Sequence, residues 1–400
     1  MKVVVLHDGV SEGASPDQHD ALVQAGVVAE ALADLGYDPV AVPFSIDLKK
    51  VMEELEKIQP AFVFNLVESV EGQGRLICTA TAILDYLKLP YTGAKTEGLF
   101  LTSNKLFAKE RLRAAGIPTP AWLSRESSRK NSVMIDGPCI IKSVWEHASI
   151  GLDEDSVVLV TDPYQLFQEM EDRCERLGGE CFAEAYIEGR EFNISLLEDN
   201  GKPLALPPAE IRFKAYPPWK FRVVGYRAKW DEASFEYHNT TRFFDFPDGD
   251  SALLKQLADI AKECWSIFGL RGYARADFRV DEAGSPWVLE INANPCLSPD
   301  AGLVAAAERA DLTFNHVVET IIGDSHILAG RSEMKDKTII CIQCEKEFIV
   351  TPSEQKRCIY RNFDMPKRCP ECRKHKAKIK WPEEWGKKGK RRRVREKQFD

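Results

Sequence analysis

YARADFRVDEAGSPWVLEIN, residues 273–292, reads as two short β-strands joined by a turn. The connection Glu282-Ala-Gly-Ser285 has hairpin chemistry, and a loop of that length pairs Asp277 with Glu290 and Arg275 with Asn292. Side chains alternate along a strand, so these four project to one side. Ala274, Ala276, Phe278, Val288, Leu289 and Ile291 supply an apolar opposite face. Two carboxylates placed opposite each other repel unless a cation lies between them. Oxygen ligands on a rigid sheet, with the Asn292 carbonyl as a third, suit Mg²⁺, which takes one or two carboxylates together with phosphate oxygens. The competing reading is a solvated face on which Arg275 is merely salt-bridged. The next stretch, NANPCLSPDAG (292–302), turns sharply at Pro295 and leads into a helix, which favours a site.

Upstream, the spacing of apolar runs predicts helices and strands in alternation. KVVVLH (2–7) and AFVFNLV (61–67) read as buried strands, with a further short strand near Val40. Helices are expected over 20–35, 46–58 and 74–88, so residues 1–95 form a parallel α/β layer. A helix over 104–116, capped by Thr102 or Ser103 and stopped by Gly116, precedes the extended Ile117-Pro-Thr-Pro. CIIKSV (139–144), VVLV (157–160) and CFAEAYI (181–187) make a second α/β unit with a helix near 163–177. A hairpin is expected around Asp199-Asn200-Gly201, and helices over 251–268, 301–309 and 313–328. Residues 208–248 give no clear pattern.

Within these units several residues invite chemistry. Lys142 lies in an apolar strand, where a lysine is costly unless it meets an anion. It leads into Ala148-Ser149-Ile150-Gly151, small enough for backbone N–H groups to approach a phosphate. Lys105 at a helix start and Lys229 in GYRAKWD are weaker signals of the same kind. Glu184 and Glu191 bracket AYIEGR, where an acid at a strand end can accept from an adenine amine or a ribose hydroxyl. Taken singly, each of these residues is equally well an ordinary surface or edge group.

Composition is that of a globular chain, 44% hydrophobic and 29% charged, with no apolar run of membrane-spanning length. The N-terminus reads as a strand rather than a signal peptide, which predicts a cytoplasmic protein with reduced thiols. The net charge of −8 hides an asymmetry. Residues 331–400 carry 22 basic and 11 acidic side chains, against 32 and 51 in the remainder. Five of the eleven cysteines also crowd into that end.

As a set, the motifs LPYTGAKTEGLFLTSNK (89–105), AAGIPTP (114–120), IIKSVWEHASIGL (140–152), AEAYIEGREF (183–192) and RADFRVDEAGSPWVLEINANP (275–295) resemble the D-alanine–D-alanine ligase branch of the ATP-grasp superfamily, over residues 1–325. The resemblance implies an N-terminal parallel α/β domain (1–95) and a two-part ATP-grasp fold, with a small lobe and linker (96–190) and a catalytic lobe (191–330). It implies that Lys105, Lys142 and Lys229 touch ATP phosphates and that Ser149 and its loop cover the γ-phosphate. Glu184 and the backbone at Ile187 would hold adenine, and Glu191 the ribose. Asp277, Glu290 and Asn292 would bind two Mg²⁺, and Arg275 would stabilise the tetrahedral intermediate. The implied reaction is ATP-dependent carboxylate–amine ligation through an acyl phosphate, with ADP and phosphate released, in a homodimer. The alternative is an ATP-binding adaptor that no longer turns over.

Departures bear on the substrate. The family holds its second amino acid with a Glu–Ser–Tyr set and a further Ser. Here those places fall near Gln18, at Ala148, at Trp230 and near Ala301. A family His-Gly is replaced by Asn65-Leu-Val-Glu68, and the Gly after the last Pro is Cys296. A site without those hydroxyls cannot be assumed to take D-alanine, so another amino acid, a peptide end or a protein end is expected.

Cys341-x2-Cys344 and Cys369-x2-Cys372 give four thiolates on two knuckles, a set that suits one structural Zn²⁺. The segment 331–380 resembles a zinc ribbon, and a module this small needs its metal to fold. Cys358 is left without a partner. The basic run KKGKRRRVREK (387–397), within a tail spanning 381–400, is a candidate surface for RNA or an acidic protein, with Trp381 and Trp385 as stacking groups.

Overall fold

The structure is a computed structural model that describes residues 1–10, 13–125, 135, 137–146, 149, 151–159, 162–323, 336–351, 354–355, 358 and 365–374. It divides into a unit spanning Met1–Arg331 and a second spanning Ser332–Asp400.

Among the described residues the larger unit contains three sheets. β1 (Lys2–Asp8), β2 (Asp38–Phe44) and β3 (Val63–Asn65) form a parallel sheet in the order β2-β1-β3. α1 (Pro16–Asp34), α2 (Leu48–Ile58) and α3 (Cys78–Leu87) connect and cover it. Ser15 and Gln18 close a capping box on α1, and the Asp47 side chain accepts from Lys50 N at the start of α2. Val4, Leu6, Phe44, Leu55 and Leu84 lie in one buried cluster here.

α4 (Thr96–Ser103) and α5 (Lys105–Ala114) follow. Asn104, rather than Thr102 or Ser103, caps α5, its side chain accepting from Phe107 N. Thr102 and Ser103 belong to α4, and Gly116 stops α5 at φ +77° as expected. An antiparallel sheet in the order β4-β7-β5-β6 comes next, from β4 (Trp122–Leu123), β5 (Cys139–Ser143), β6 (Val157–Val158) and β7 (Cys181–Ala185), with α6 (Pro163–Cys174) packed on it.

The largest sheet is antiparallel. β8 (Arg190–Asp199) and β9 (Lys202–Ala205) form the expected hairpin, with Asn200 and Gly201 both at positive φ. The stretch that the sequence left unplaced contains β10 (Ala209–Phe213), α7 (Tyr226–Trp230), α8 (Phe235–Asn239) and β11 (Thr240–Phe243). α9 (Ser251–Phe268) leads into β12 (Tyr273–Val280) and β13 (Pro286–Asn292), and α10 (Gly302–Arg309) and α11 (Phe314–Ile322) close the unit. The strand order is β11-β10-β8-β12-β13, with β9 on β8. Its apolar face packs on α9 through Phe192, Ile194, Ala276, Phe278, Ile291, Leu257 and Trp265. Gly189, at φ +142°, lets the chain enter β8 beside the turn end of β12, where a Cβ would meet Val280 O at 2.0 Å.

The hairpin differs from the sequence reading in one instructive way. Val280 pairs with Pro286, so five residues rather than four make the turn. A β-bulge then places Phe278 opposite Val288 and leaves Leu289 unpaired, which restores Asp277 opposite Glu290 and Arg275 opposite Asn292. Leu289, expected on the apolar face, is this bulged residue and is half-buried outside the core cluster.

The smaller unit has β14 (Lys337–Ile340) paired antiparallel with β15 (Glu347–Val350), and α12 (Pro370–Lys374). Among its described residues the buried cluster is Cys341, Phe348, Val350 and Cys369. The tail over 381–400, with Trp381, Trp385 and the basic run, lies outside the described residues, as does Ala148. Among the described residues no helix is long and apolar enough to cross a membrane.

Candidate functional site

The polar face of the β12–β13 hairpin is the centre of the site. Arg275 grips Asp277 through two bonds, Nε to Oδ1 and Nη2 to Oδ2, both 2.8 Å. Asn193 on the neighbouring β8 donates to Asp277 Oδ1 at 2.7 Å. The cation that two facing acids require is thus partly supplied by the protein itself, and the salt-bridged Arg275 and the acid pair turn out to be one arrangement. Burial pushes the Asp277 carboxyl up and Glu290 adds to this, with Arg275 opposing them. Glu290 lies within electrostatic reach of Lys105, Lys142, Lys229 and Arg275. Asn292 Oδ1 accepts from Asn294 N at 3.1 Å, which fixes the orientation of its amide.

The lysines arrive from three directions. Lys105, the first residue of α5, is buried and donates to Glu146 O at 2.6 Å. Lys142 on β5 and Lys109 on α5 both ion-pair with Glu184 on β7, Lys109 at 2.6 Å. Glu184 and Lys109 are each only 1% exposed. Burial alone would lift the Glu184 carboxyl, but the two lysines outweigh it and hold it below the usual range. Burial lowers Lys105, Lys109 and Lys229, whereas Glu184 and Glu290 keep Lys142 above its ordinary value against the same burial.

Glu191, at the start of β8, pairs with Arg279 at 2.8 Å. Arg279 lies against the Tyr186 and Phe213 rings, each 5.5 Å from its guanidinium, beside the Ile187 loop. The small-residue loop is anchored at both ends. Ser149, at φ +61°, donates its hydroxyl to Val224 O at 2.8 Å, and Tyr226 N donates to Leu152 O. Gly151, at φ +69°, has no room for a Cβ, which would meet Leu177 Cδ2 at 2.6 Å. The Glu146 side chain accepts from Gly74 N and ties the loop to the N-terminal layer.

The structure therefore brings Lys105, Lys142 and Lys229, from other elements, within electrostatic reach of Glu290, with Glu184 paired to Lys142. Two residues were missed. Lys109 is one helical turn after Lys105, and Arg279 continues the alternation of Arg275 and Asp277, so both had a periodicity signal. At the places where the family's amino-acid ligands would lie, Gln18 accepts from Ser15 N as a helix cap, and Ala301 is the residue before α10. The neighbouring Asp17 instead accepts from the Tyr226 hydroxyl at 2.9 Å, and burial together with Asp17 pushes that phenol up to about 12. Asp20 accepts from Ser298 Oγ at 2.7 Å and Cys296 Sγ at 3.0 Å.

In the smaller unit the Sγ atoms of Cys341, Cys344, Cys369 and Cys372 all lie within 4.8 Å of one another, with Cys344 and Cys369 3.8 Å apart. Tetrahedral Zn–S bonds of about 2.3 Å put sulfurs about 3.8 Å apart, so the set fits the ion. Burial acts to raise the Cys341 thiol, but the N–H groups of Cys369, Gln343 and Cys344 outweigh it and draw it down to about 6. Cys358 is not part of the cluster.

Comparison with known proteins gives concordant findings. Residues 112–323, more than half of the chain, match the family model described as "D-ala D-ala ligase C-terminus". Residues 335–380 match one described as "Probable treble clef domain". This refines the ribbon expected from the sequence, since the second cysteine pair opens the helix α12. A D-alanine–D-alanine ligase of Aquifex aeolicus is 28% identical over 325 residues, which is 80% of this chain and 100% of that one. A D-alanine–D-alanine ligase of Pseudomonas entomophila is 28% identical over 333 residues, 82% and 94% of the two chains. Among solved structures, the D-alanine–D-alanine ligase of Bacillus anthracis complexed with ATP aligns at a TM-score of 0.62 and 21% identity, over 83% of this chain and 99% of that one. The VanG D-Ala:D-Ser ligase of Enterococcus faecalis aligns at 0.60 and 17%, over 80% and 98%. At these identities the structural likenesses establish the fold.

Proposed function

The chain belongs to the D-alanine–D-alanine ligase family, and from that premise we propose that it is an ATP-dependent carboxylate–amine ligase working through an acyl phosphate. The observation that carries the reading is the convergence of Lys105, Lys142, Lys229 and Arg275 on Glu290 and Asp277, on a rigid hairpin. Four cations drawn from several elements around two carboxylates suit a polyphosphate together with divalent metal.

In this reading Asp277, Glu290 and Asn292 hold two Mg²⁺, which would neutralise charge on the transferring phosphoryl group. Lys105, Lys142 and Lys229 bind ATP phosphates, and Ser149 with its loop covers the γ-phosphate. Glu184 fixes Lys142 and Lys109, and its oxygens keep further lone pairs for the adenine amine. The Ile187 backbone lies along the base, and Glu191, held by Arg279, receives the ribose. The substrate carboxylate oxygen attacks the γ-phosphorus, and ADP leaves. The amine nitrogen then attacks the acyl carbon, the C–O bond to phosphate breaks, and Arg275 offsets the negative charge of the tetrahedral intermediate. The division of the body near residues 95 and 190 belongs to this reading; residues 4–91 and 123–183 have apolar clusters of their own, while a third cluster joins residues 77–117 with 192–293.

The substrates are not expected to be two D-alanines. Ala148 and Trp230 replace a hydroxyl pair, and acidic side chains with a thiol (Asp17, Asp20, Glu68 and Cys296) border the acceptor end. An amino acid, peptide end or protein end with a free α-amine fits better. A screen of carboxylates and amines with ATP and Mg²⁺, read by ADP release, tests the reading. A productive pair whose signal is lost in Asp277→Asn and Glu290→Gln supports it, and equal release from those variants overturns it.

A further inference from the structure

Asn65-Leu-Val-Glu68 stands where the family has a His-Gly, and nothing in the proposed chemistry yet uses its Glu68. Its position is fixed with care. Glu68 N and Ser69 N donate to the two oxygens of Asp8, each at 2.8 Å, and Ser69 Oγ donates to the second at 2.7 Å. Gln24 on α1, only 2% exposed, donates to Glu68 Oε1 at 2.9 Å and accepts from Leu297 N at 2.9 Å on the loop that follows the metal-binding strand. Among the described residues no donor meets Oε2. Glu68 borders a small void of about 10 Å³ with Asn292 and Asn294, and its carboxylate lies within electrostatic reach of Arg275.

We propose that Glu68 receives the acceptor amine: Oε2 accepts an N–H of the incoming ammonium, orients its nitrogen, and takes the proton that must leave before attack. This rests on the ligase reading and adds to it the group that handles the nucleophile. One proton passes from R–NH₃⁺ to the Glu68 carboxylate. The freed nitrogen lone pair forms the C–N bond, and the C–O bond breaks with its electron pair leaving on phosphate. The second amine proton goes with the phosphate, and Glu68 returns its own to water.

The charges facing Glu68 favour the role. Burial raises its carboxyl to about 8, and Asp8 on β1 and Asp20 on α1 add to this, against Gln24 and Arg275. Tyr273 and Cys296 also face it, both held neutral by burial. Such an acceptor is suited to hold the proton that an amine gives up on attack.

Hydroxylamine tests this because it is already uncharged at pH 7 and needs no base. With ATP, Mg²⁺ and a productive carboxylate, Glu68→Gln should form hydroxamate within about threefold of the parent. Amide formation from an α-amine should fall about 10²-fold at pH 7 and recover toward pH 9. Glu68→Asp, which keeps the carboxylate, should retain most of the amide rate and the parent pH profile. Equal loss with both nucleophiles, or no loss with either, overturns the proposal, as would a Glu68→Asp variant no better than Glu68→Gln. No hydroxamate from the parent with any carboxylate removes the ligase reading itself, and this proposal with it.

Discussion

Two places in this chain gather groups that suit divalent metal, the proposed Mg²⁺ face and the four-cysteine cluster, and they solve the same electrostatic problem differently. On the β12–β13 hairpin the acids are already accompanied, Asp277 by Arg275 and Asn193, Glu290 by three lysines and Arg275. Beneath them lies a thick apolar cluster running from Ile77 to Ala293. In the C-terminal module the described partners of the sulfurs are backbone N–H groups and one another, and Phe348 and Val350 are the other buried residues of their cluster. The acid face of the hairpin is assembled by the fold itself. The cysteine cluster has little apolar area around it among the described residues, so it is expected to depend on its ion.

The largest expected effect follows from that contrast. Cys369→Ser, or a strong zinc chelator, should forfeit on the order of 10 kcal/mol of metal-coupled folding energy in the module. Amide exchange should then show residues 336–374 unprotected while residues 1–323 keep their protection. A module that stays protected without zinc would erase the distinction. Next, Asp277→Asn or Glu290→Gln should reduce ADP release about 10²–10³-fold with the circular dichroism of the body unchanged. Unfolding of the body on Mg²⁺ removal would show that its site is not pre-assembled.

A smaller effect concerns the buried Lys109–Glu184–Lys142 group. Glu184→Gln strands two lysines and should cost about 3–5 kcal/mol, read from urea unfolding. The sign with pH is fixed by Glu184 being held below its unfolded value. Its contribution is complete above the unfolded carboxylate range near about 4 and is lost as pH falls through the lower folded value. The variant should therefore lack that acid-side loss. The smallest effect is Tyr226→Phe, which removes the bond to Asp17 and should cost about 1 kcal/mol.

Most of the architecture was readable because period and punctuation agreed. The helix over 251–268 and the turn at Asn200-Gly201 carry unambiguous signals, and both are where the sequence places them. The cap of α5 was misplaced by one residue, because Thr102, Ser103 and Asn104 are all good caps and only the start of a second helix separates them. The stretch 208–248 was opaque for a different reason. Its order depends on buried ion pairs such as Lys220–Glu236, at 2.7 Å, and on Tyr216 and Phe235 flanking that lysine. Those partners are distant or aperiodic in sequence, so no local pattern marks them. The open oxygen of Glu68 was invisible for the same reason, since it depends on Gln24, 44 positions earlier.

The bulge at Leu289 has a consequence for how this hairpin tolerates change. Because an unpaired residue separates the turn from the acid pair, length altered at the tip can be taken up before it reaches Glu290. Related chains could therefore vary the tip by insertion or deletion, and a tag could be grafted at Ala283-Gly284, without rotating either carboxylate out of the cleft.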